Sequence, residues 1–275
     1  MKIPPKNPRI PLPLCIVKEL NPRIAYLIGI LRDGSFRKPT RNIYRVSIYQ
    51  KNYEFIKNTL LPIFRKEFDR ELKVYRGKNS FECVITEKQF YKEFREVCEF
   101  PENRHQQYWD VPQIIKHSPR EIKKWFVTGF FDAEGTVYPK KAEKTQKPKI
   151  VFYSSWYERD KCPPLEFIRN FLNEIGIKTG NVNGPYKITQ VYSYELAIKS
   201  KREILKFCKL FKSLHPEKSK HLNFLSSFCR KPGSYGKADR LPLCGGETAV
   251  RFEKIPHVRF KVELTCMRNF NGPGS

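Results

Sequence analysis

Two acid–glycine pairs about 100 residues apart are the residues of this sequence best suited to chemistry. Asp33-Gly34 ends one apolar run, and Glu134-Gly135 ends a second, similar run. If the two runs pack side by side, both carboxylates meet at one end of the contact, where they repel unless they share a proton or a cation. Mg²⁺ fits such a place because it prefers oxygen ligands, keeps several waters and also binds phosphate oxygens. A metal held there can activate water, so the pairs predict metal-assisted hydrolysis.

The charge of the chain predicts a polyanionic partner. Lys and Arg number 53 against 28 acidic residues, a formal net charge of +25. Such an excess opposes compact folding by self-repulsion unless a polyanion neutralises it. Nucleic acid does so with release of condensed counterions. The alternatives are a basic protein that is merely soluble, or one that lies on anionic lipid.

Composition also predicts a compartment. The sequence has no run of 18 apolar residues, so we expect no membrane span. Prolines interrupt the N-terminus, which makes it a poor signal peptide. The 8 cysteines form no CxxC pair, which disfavours zinc modules and favours reduced, buried thiols. We therefore expect an intracellular protein, cytoplasmic in a prokaryote and organellar in a eukaryote.

The two apolar runs read as helices. Before the second run, Ser118 is a candidate N-cap, with Pro119 at the first helical position and Glu121 three residues after the serine. Gly135 can end that helix in the left-handed conformation. The first run begins at Asn21-Pro22 and ends at Gly34. A helix that is apolar on most faces must be buried, and its twin is the natural partner.

The same order of patterns follows each run, so we predict two α/β domains of one type. Their spans are 1–100 and 118–230, joined by a linker at 101–117 and followed by an extension at 231–275, whose last four residues resemble a cloning remnant. In the first half we predict strands and helices at 43–49, 51–68, 71–75, 80–87 and 90–99. The counterparts lie at 149–154, 165–175, 181–186, 191–199 and 202–211, followed by a helix at 217–229 and two possible strands within 250–266.

Both runs carry a motif that resembles LAGLIDADG. Val127-Thr-Gly-Phe-Phe-Asp-Ala-Glu-Gly135 matches it closely, and Tyr26-Leu-Ile-Gly-Ile-Leu-Arg-Asp-Gly34 is similar to a companion copy. Residues 109–114 resemble the segment that leads into the second motif of single-chain members, and 214–222 resembles the basic segment after the last core helix. The chain is thus identified as a member of the LAGLIDADG homing endonuclease family, of the single-chain, double-motif type.

The resemblance implies a fold and an activity. The fold is α/β (α+β): two pseudo-symmetric αββαββα domains with antiparallel DNA-binding sheets, packed through the two motif helices. The activity is a site-specific double-strand break in a long asymmetric DNA target, leaving cohesive 3′ ends. The implied cofactor is Mg²⁺, with Mn²⁺ able to replace it and Ca²⁺ supporting binding without cleavage. We expect a monomer whose partner is double-stranded DNA.

The first motif departs from the second in spacing. Gly129 precedes its acid by five residues and Gly29 precedes its acid by four, so aligning the acids places Ile28 where the family has a small residue. Either the first helix packs differently or the two helices approach less closely there. Small residues are otherwise available for a close approach at positions 25, 29, 129 and 133. Asp132 is interpreted as structural support and not as a metal ligand.

Further site residues follow from the resemblance. The metal ligands are expected at Asp33, Glu134, Gly34 and Gly135. Lys218 and Lys220 both match the basic segment, and either one can point into the site. Gln50, at the end of a predicted strand, is a candidate to position water, and Arg104 is a possible counterpart of the lysines. Each of these residues also has an ordinary interpretation as solvated surface.

DNA contacts are predicted on the strands and near them. One face of such a sheet can pack on its helices while the other reads base edges, and most basic contacts go to phosphate. The candidates alternate along strands or follow them: Arg41, Arg45, Tyr49, Lys73, Arg76, Lys140, Lys141 and Lys199.

Two other functions fit the same scaffold. One is an intron RNA maturase, and the other is a DNA-binding regulator that has lost metal chemistry. Both motif acids are present, which favours cleavage over the regulator. An intein is disfavoured because the chain begins Met-Lys and shows no His-Asn ending.

Overall fold

The structure of the protein, a computed structural model, describes residues 20–37, 44–101, 106–139, 147–188 and 191–230. The predicted arm at 250–266 and the rest of the extension lie outside these ranges. Two four-stranded antiparallel sheets carry helices on one face, in the orders β1-β2-β4-β3 and β5-β6-β8-β7. This repeated arrangement confirms the predicted fold.

The first half contains α1 (Pro22–Ile30), β1 (Gly34–Arg37), β2 (Arg45–Gln50), α2 (Tyr53–Phe55), α3 (Leu61–Phe68), β3 (Lys73–Arg76), β4 (Phe81–Ile85) and α4 (Lys88–Val97). A π-helical segment, Ile56–Leu60, joins α2 to α3. The short α5 (Gln113–Lys116) follows. The second half contains α6 (Arg120–Glu134), β5 (Gly135–Tyr138), β6 (Lys149–Trp156), α7 (Pro163–Glu174), β7 (Asn183–Ile188), β8 (Val191–Ile198), α8 (Lys201–Leu210) and α9 (Pro216–Arg230).

The register of the strands shows which residues of the two halves are equivalent. Gly34 pairs with Ile48 in the first sheet, and Gly135 pairs with Phe152 in the second. Asp33 is therefore equivalent to Glu134. By the same register the equivalent pairs continue as Arg32 with Ala133, Gln50 with Ser154, Tyr49 with Tyr153 and Glu82 with Glu195.

The motif helices α1 and α6 form the main contact between the halves. Gly29 and Gly129 meet at this contact: a Cβ on Gly29 would lie 2.3 Å from the carbonyl oxygen of Phe126, and one on Gly129 would lie 2.1 Å from that of Tyr26. No side chain fits at such distances. The sequence expectation of small residues at a close helix crossing is confirmed at these two positions.

A change of helix type accounts for the unequal spacing of the motifs. Residues Leu31–Asp33 form a 3₁₀ turn, so the N–H of Gly34 bonds to the carbonyl of Leu31, whereas that of Gly135 bonds to Phe131 one residue further back. A 3₁₀ helix rises about 2.0 Å per residue against about 1.5 Å in an α-helix, which makes both glycine-to-acid spans about 7.5 Å. The first helix therefore ends differently, and the glycines keep their close approach.

Two predictions about helix ends were wrong. Ser118 is not the N-cap of α6, because its hydroxyl donates to the carbonyl of Ile114 in the preceding helix. The N-cap position is held by Pro119, which makes no side-chain hydrogen bond to the helix. Gly135 is extended, with φ −83° and ψ 152°, and starts β5. Glycine is required there by space, since a Cβ would lie 2.2 Å from the Phe131 ring. The predicted N-terminus of α1 is confirmed, with Asn21 accepting from the N–H groups of Arg23 and Ile24.

The segment between the halves is packed into the core. Trp109 is 1% exposed, and its ring nitrogen donates to the carbonyl of Cys98 at 2.6 Å. Phe100 packs against the Trp109 ring. The linker thus contributes a buried anchor beside the first half. No helix within the described ranges is long and apolar enough to cross a membrane. The five cysteines in these ranges are all unpaired thiols.

Candidate active site

Asp33 stands at the end of the 3₁₀ turn that follows α1. Its Oδ2 accepts a hydrogen bond from Nε2 of Gln50 at 3.1 Å, and Gln50 is itself buried at the end of β2. Burial raises the pKa of the Asp33 carboxyl, while the charge of Lys218 and the Gln50 hydrogen bond oppose the rise. Gln50, which the sequence offered as a water-positioning residue, therefore touches the first acid directly.

Glu134 is the last residue of α6, at the position equivalent to Asp33. Burial and then the negative charge of Asp33 raise the pKa of Glu134 to about 7, and the cations Arg32 and Lys218 oppose that rise. The 3₁₀ turn that ends in Asp33 contacts α6, which ends in Glu134, so the two acids lie at the same end of the contact between the motif helices. Like charges placed there repel each other.

An open cleft of about 470 Å³ lies over the Asp33 side of this pair. Glu134 is not part of its wall, although both of its neighbours in sequence are. The cleft is lined by Asp33, Tyr49, Gln50, Lys51, Asn52, Ser80, Asp132, Ala133, Gly135, Thr136, Val137, His215, Glu217, Lys218 and His221. A larger open cleft of about 630 Å³ runs along α3 between Lys57 and Leu72 and holds a single carboxylate, Glu71. Of these two clefts in the described part of the chain, the 470 Å³ cleft is the one that combines a motif acid with lysines from both halves, Lys51 and Lys218.

Lys218 is the lysine of the basic segment that reaches the site. Its Nζ donates to the carbonyls of Phe131, Asp132 and Ala133 at 2.9, 2.7 and 2.9 Å, and so binds the carbonyl groups at the C-terminal end of α6. Lys220 is exposed and does not line the cleft. The structure therefore separates the two lysines: Lys218 supplies positive charge near both acids, and Lys220 faces solvent.

Asp132 is a buried structural anchor. Its carboxylate accepts from the hydroxyls of Tyr26 (2.7 Å) and Ser213, and from the backbone N–H groups of Leu214 (2.8 Å) and His215 (3.2 Å). These bonds tie α1 and the segment before α9 to the second motif. Because α9 carries Lys218, Asp132 also fixes where that lysine enters the site.

Three further residues near the acids did not emerge from the sequence. Lys51 lines the cleft, and its charge helps to lower the pKa of Asp33. His215 also lines it; burial and the charge of Lys218 lower the pKa of His215 to about 4, so its ring is neutral near pH 7. Arg32 is 4% exposed and lies next to Asp33. Two of them could have been found from their place in the sequence, because Lys51 directly follows Gln50 and Arg32 is a charged residue within an apolar motif.

The donor set fits a magnesium ion. No group of three or more His, Cys, Asp or Glu side chains suited to a metal occurs in the residues described. Mg²⁺ does not need one, because it is commonly held by one or two carboxylates together with waters and substrate phosphates. Asp33 and Glu134 would provide the carboxylates. Of the two expected glycine ligands, Gly135 borders the cleft and Gly34 does not.

The outward face of the first sheet is basic and aromatic. Strand register places Arg45, Tyr49, Lys73 and Tyr75 on that face around Glu82. Glu82 accepts from Nη2 of Arg45 at 2.6 Å and from the Tyr49 hydroxyl at 3.0 Å. The carboxylate therefore holds two predicted DNA contacts in fixed positions.

Arg76 differs from the other predicted DNA contacts on this sheet. It is exposed, but the register places it on the opposite face, paired with Phe81. Strand alternation thus separates it from Lys73, three residues earlier. Both residues remain candidate DNA contacts, but they belong to different faces of the sheet.

The outward face of the second sheet follows the same plan. Tyr138, Lys149, Tyr153 and Glu195 lie on that face, and Lys199 is exposed just beyond β8. The remaining predicted DNA contacts, Arg41, Lys140 and Lys141, lie outside the described residues. So does Arg104, the possible counterpart of the two lysines.

Comparison with known proteins agrees with this architecture. A family model described as a LAGLIDADG-like domain matches residues 121–212. Homing endonuclease I-ApeI from Aeropyrum pernix is 30% identical over 203 residues, which cover 73% of this chain and 85% of that protein.

Solved structures of I-DmoI share the fold. Its complex with DNA and Ca gives a TM-score of 0.52 at 20% identity, covering 71% of this chain and 91% of that one. Its complex with DNA and Mn gives 0.51 at 22% identity, covering 69% and 96%. The fold and the paired acids define a single-chain protein with two LAGLIDADG-type halves. The chain belongs to the LAGLIDADG homing endonuclease family, as its two motifs predicted.

Proposed function

We propose that this protein is a site-specific endonuclease that makes a double-strand break in a long, asymmetric DNA target. The observation that carries the proposal is the packing of two motif helices through glycines, with Asp33 and Glu134 at equivalent positions at their ends, one from each half. The homing endonuclease I-ApeI and the DNA complexes of I-DmoI support it. Two equivalent halves in one chain suit a monomer that reads two different half-sites, with 1–100 and 118–230 as the reading units.

The residues present would divide the reaction among themselves. Asp33 and Glu134 would hold Mg²⁺, which supplies activation of water and neutralisation of charge on the phosphate. Gln50 holds the Asp33 carboxylate in place, and Lys51 and Lys218 add positive charge where a phosphate would enter the cleft. Attack by water on phosphorus breaks the bond to the 3′ oxygen, which leaves as a 3′ hydroxyl once protonated, and a 5′ phosphate remains. Cohesive 3′ ends follow from the family resemblance.

The metal requirement is part of the proposal. I-DmoI has been solved with DNA together with Ca and with Mn, which supports the use of a divalent cation. We propose that Mg²⁺ is the working ion, that Mn²⁺ replaces it, and that Ca²⁺ supports binding without cleavage.

Selection from a randomised duplex library tests the proposal. The purified protein is incubated with the library and Mg²⁺, and cut ends are sequenced; a parallel selection in Ca²⁺ recovers bound duplexes. We expect one long asymmetric site in both selections, with cut ends in Mg²⁺ alone. Recovery of a bound site that is never cut in Mg²⁺ or Mn²⁺ would favour a regulator, and selective binding of structured RNA would favour a maturase.

A further inference from the structure

Arg32 is a buried cation that crosses from one half of the chain to the other. Its Nη1 donates to the carbonyl of Trp109 at 2.6 Å and its Nη2 to the hydroxyl of Ser154, on β6, at 2.9 Å. The guanidinium carbon lies 5.3 Å from the centre of the Trp109 ring and 5.2 Å from that of Phe130. A residue of the first motif is therefore anchored in the second half.

Stability alone does not explain an arginine in this place. Among the described residues no carboxylate lies within 4 Å of its side chain, and its buried Nε has no hydrogen-bond partner. A buried charge without an ion-pair partner is costly, and an apolar side chain of similar volume would commonly be as stable or more so. The contacts of the side chain indicate a function instead.

The repeat shows that Arg32 and Ser154 are unlike their counterparts. Ser154 is equivalent to Gln50, which bonds directly to Asp33; Ser154 instead accepts from Arg32. Arg32 is equivalent to Ala133, whose carbonyl is held by Lys218. Each half thus receives one cation from the other: Lys218, from α9, lines the cleft beside Asp33, and Arg32, from the first motif, binds Ser154 in the second half.

We infer that Arg32 is a positioning residue for the Glu134 half of the site, acting across the two halves through Ser154 and Trp109, so that cleavage of one DNA strand depends on it more than cleavage of the other. This inference rests on the proposed function. It assigns Arg32 and Ser154 to one strand, and Gln50 to the other.

Strand-resolved cleavage tests the assignment. The duplex recovered by selection is labelled on each strand separately, and nicking rates in Mg²⁺ are measured for Arg32→Met, Arg32→Lys, Ser154→Ala and Gln50→Ala. We expect Arg32→Met and Ser154→Ala to slow the same strand at least tenfold more than the other and to accumulate nicked duplex. Gln50→Ala should slow the opposite strand, and Arg32→Lys should restore part of the lost rate. Equal slowing of both strands, or none, would overturn the inference.

Hydrogen exchange on the protein without metal or DNA provides a readout that is independent of cleavage. Arg32→Met should speed exchange of amides around Trp109 and β6 while leaving β2 unchanged. The exposed Arg65 provides the matched control, Arg65→Met. Unchanged exchange at β6 would show that Arg32 does not position it, whatever the cleavage assays give. If the wild-type protein cuts no DNA but Arg32→Met still speeds exchange in β6, the proposed function is wrong while the structural role of Arg32 stands. Should Arg32→Met not fold, Ser154→Ala decides the strand assignment.

Discussion

The hydroxyl of Tyr26 in the first motif helix donates a 2.7 Å hydrogen bond to Oδ2 of Asp132 in the second. Both residues are buried, so the bond joins the halves beneath the acids. Tyr26→Phe should lower the free energy of unfolding by about 1–3 kcal/mol, because a carboxylate loses one of its donors in a place that water does not reach. Urea unfolding measures this, with the exposed Tyr53→Phe as control; equal effects of the two variants would contradict it.

The close contact between α1 and α6 at Gly29 and Gly129 predicts a larger loss of folding stability on substitution. In Gly129→Ala the new methyl group would lie 2.1 Å from the carbonyl oxygen of Tyr26, so α1 and α6 must move apart. Overpacking of this kind typically costs about 1–3 kcal/mol, and backbone against backbone should be at the upper end or beyond. Gly180→Ala is the control, since its methyl would be 3.8 Å from the nearest atom. Thermal unfolding of both variants shows whether the halves need this approach.

The sequence predicted the fold because its signals were repeated. Two apolar runs with an acid and a glycine at the end, each followed by the same succession of strand and helix patterns, predict two domains of one type. The short strands β1 and β5 gave no pattern of their own, and the αββαββα order came from the family resemblance. Contacts between the halves were harder to predict from the sequence. Whether Lys218 or Lys220 points inward depends on the rotation of α9, which Asp132 fixes through the segment before it. Arg32 meets Ser154 across 122 positions, and no local pattern encodes that pairing.

Helix ends were mispredicted for a related reason. Ser118 has the residue type of an N-cap, but the carbonyl of Ile114 takes its hydroxyl. A carbonyl one turn earlier in the chain thus competes with the helix N-terminus for the serine side chain. At Gly135 the sequence correctly marked the end of the helix but for the wrong reason. The glycine is required by its close packing on Phe131 and not by a left-handed backbone.

The two acids should separate binding from cleavage. Asp33→Asn and Glu134→Gln keep the size of each side chain but remove a charge that Mg²⁺ would need. We expect both variants to bind the selected duplex in Ca²⁺ within a few-fold of the wild type and to abolish cutting in Mg²⁺. The exposed Asp160→Asn is the matched control and should cut normally. Normal cutting by both acid variants would show that the site lies elsewhere.

The raised pKa of Glu134 predicts how stability varies with pH. Burial and the charge of Asp33 raise that pKa from 4.5 to about 7. Between these values the folded protein holds a proton that the unfolded chain has released, so the metal-free protein loses stability as pH rises through this window and levels off above it. The loss is on the order of 3 kcal/mol at most. Unfolding in EDTA at pH 5, 6, 7 and 8 should show it, and Glu134→Gln should remove this component while leaving other titrations in place. A difference between the two proteins that does not change with pH would contradict the assignment.

Lys73 and Arg76 provide a matched test of which sheet face meets DNA. They lie on the same strand, both are exposed, and the register places them on opposite faces, with Lys73 beside Val84 and Arg76 beside Phe81. If the outward face contacts phosphate, Lys73→Met should weaken binding to all duplexes and lower the slope of log K against log salt by about 1. Arg76→Met should leave that slope unchanged, because its charge lies on the other face. Fluorescence anisotropy in Ca²⁺ across a range of salt concentrations measures both slopes. A larger effect from Arg76 would mean that the sheet presents its other face to the duplex.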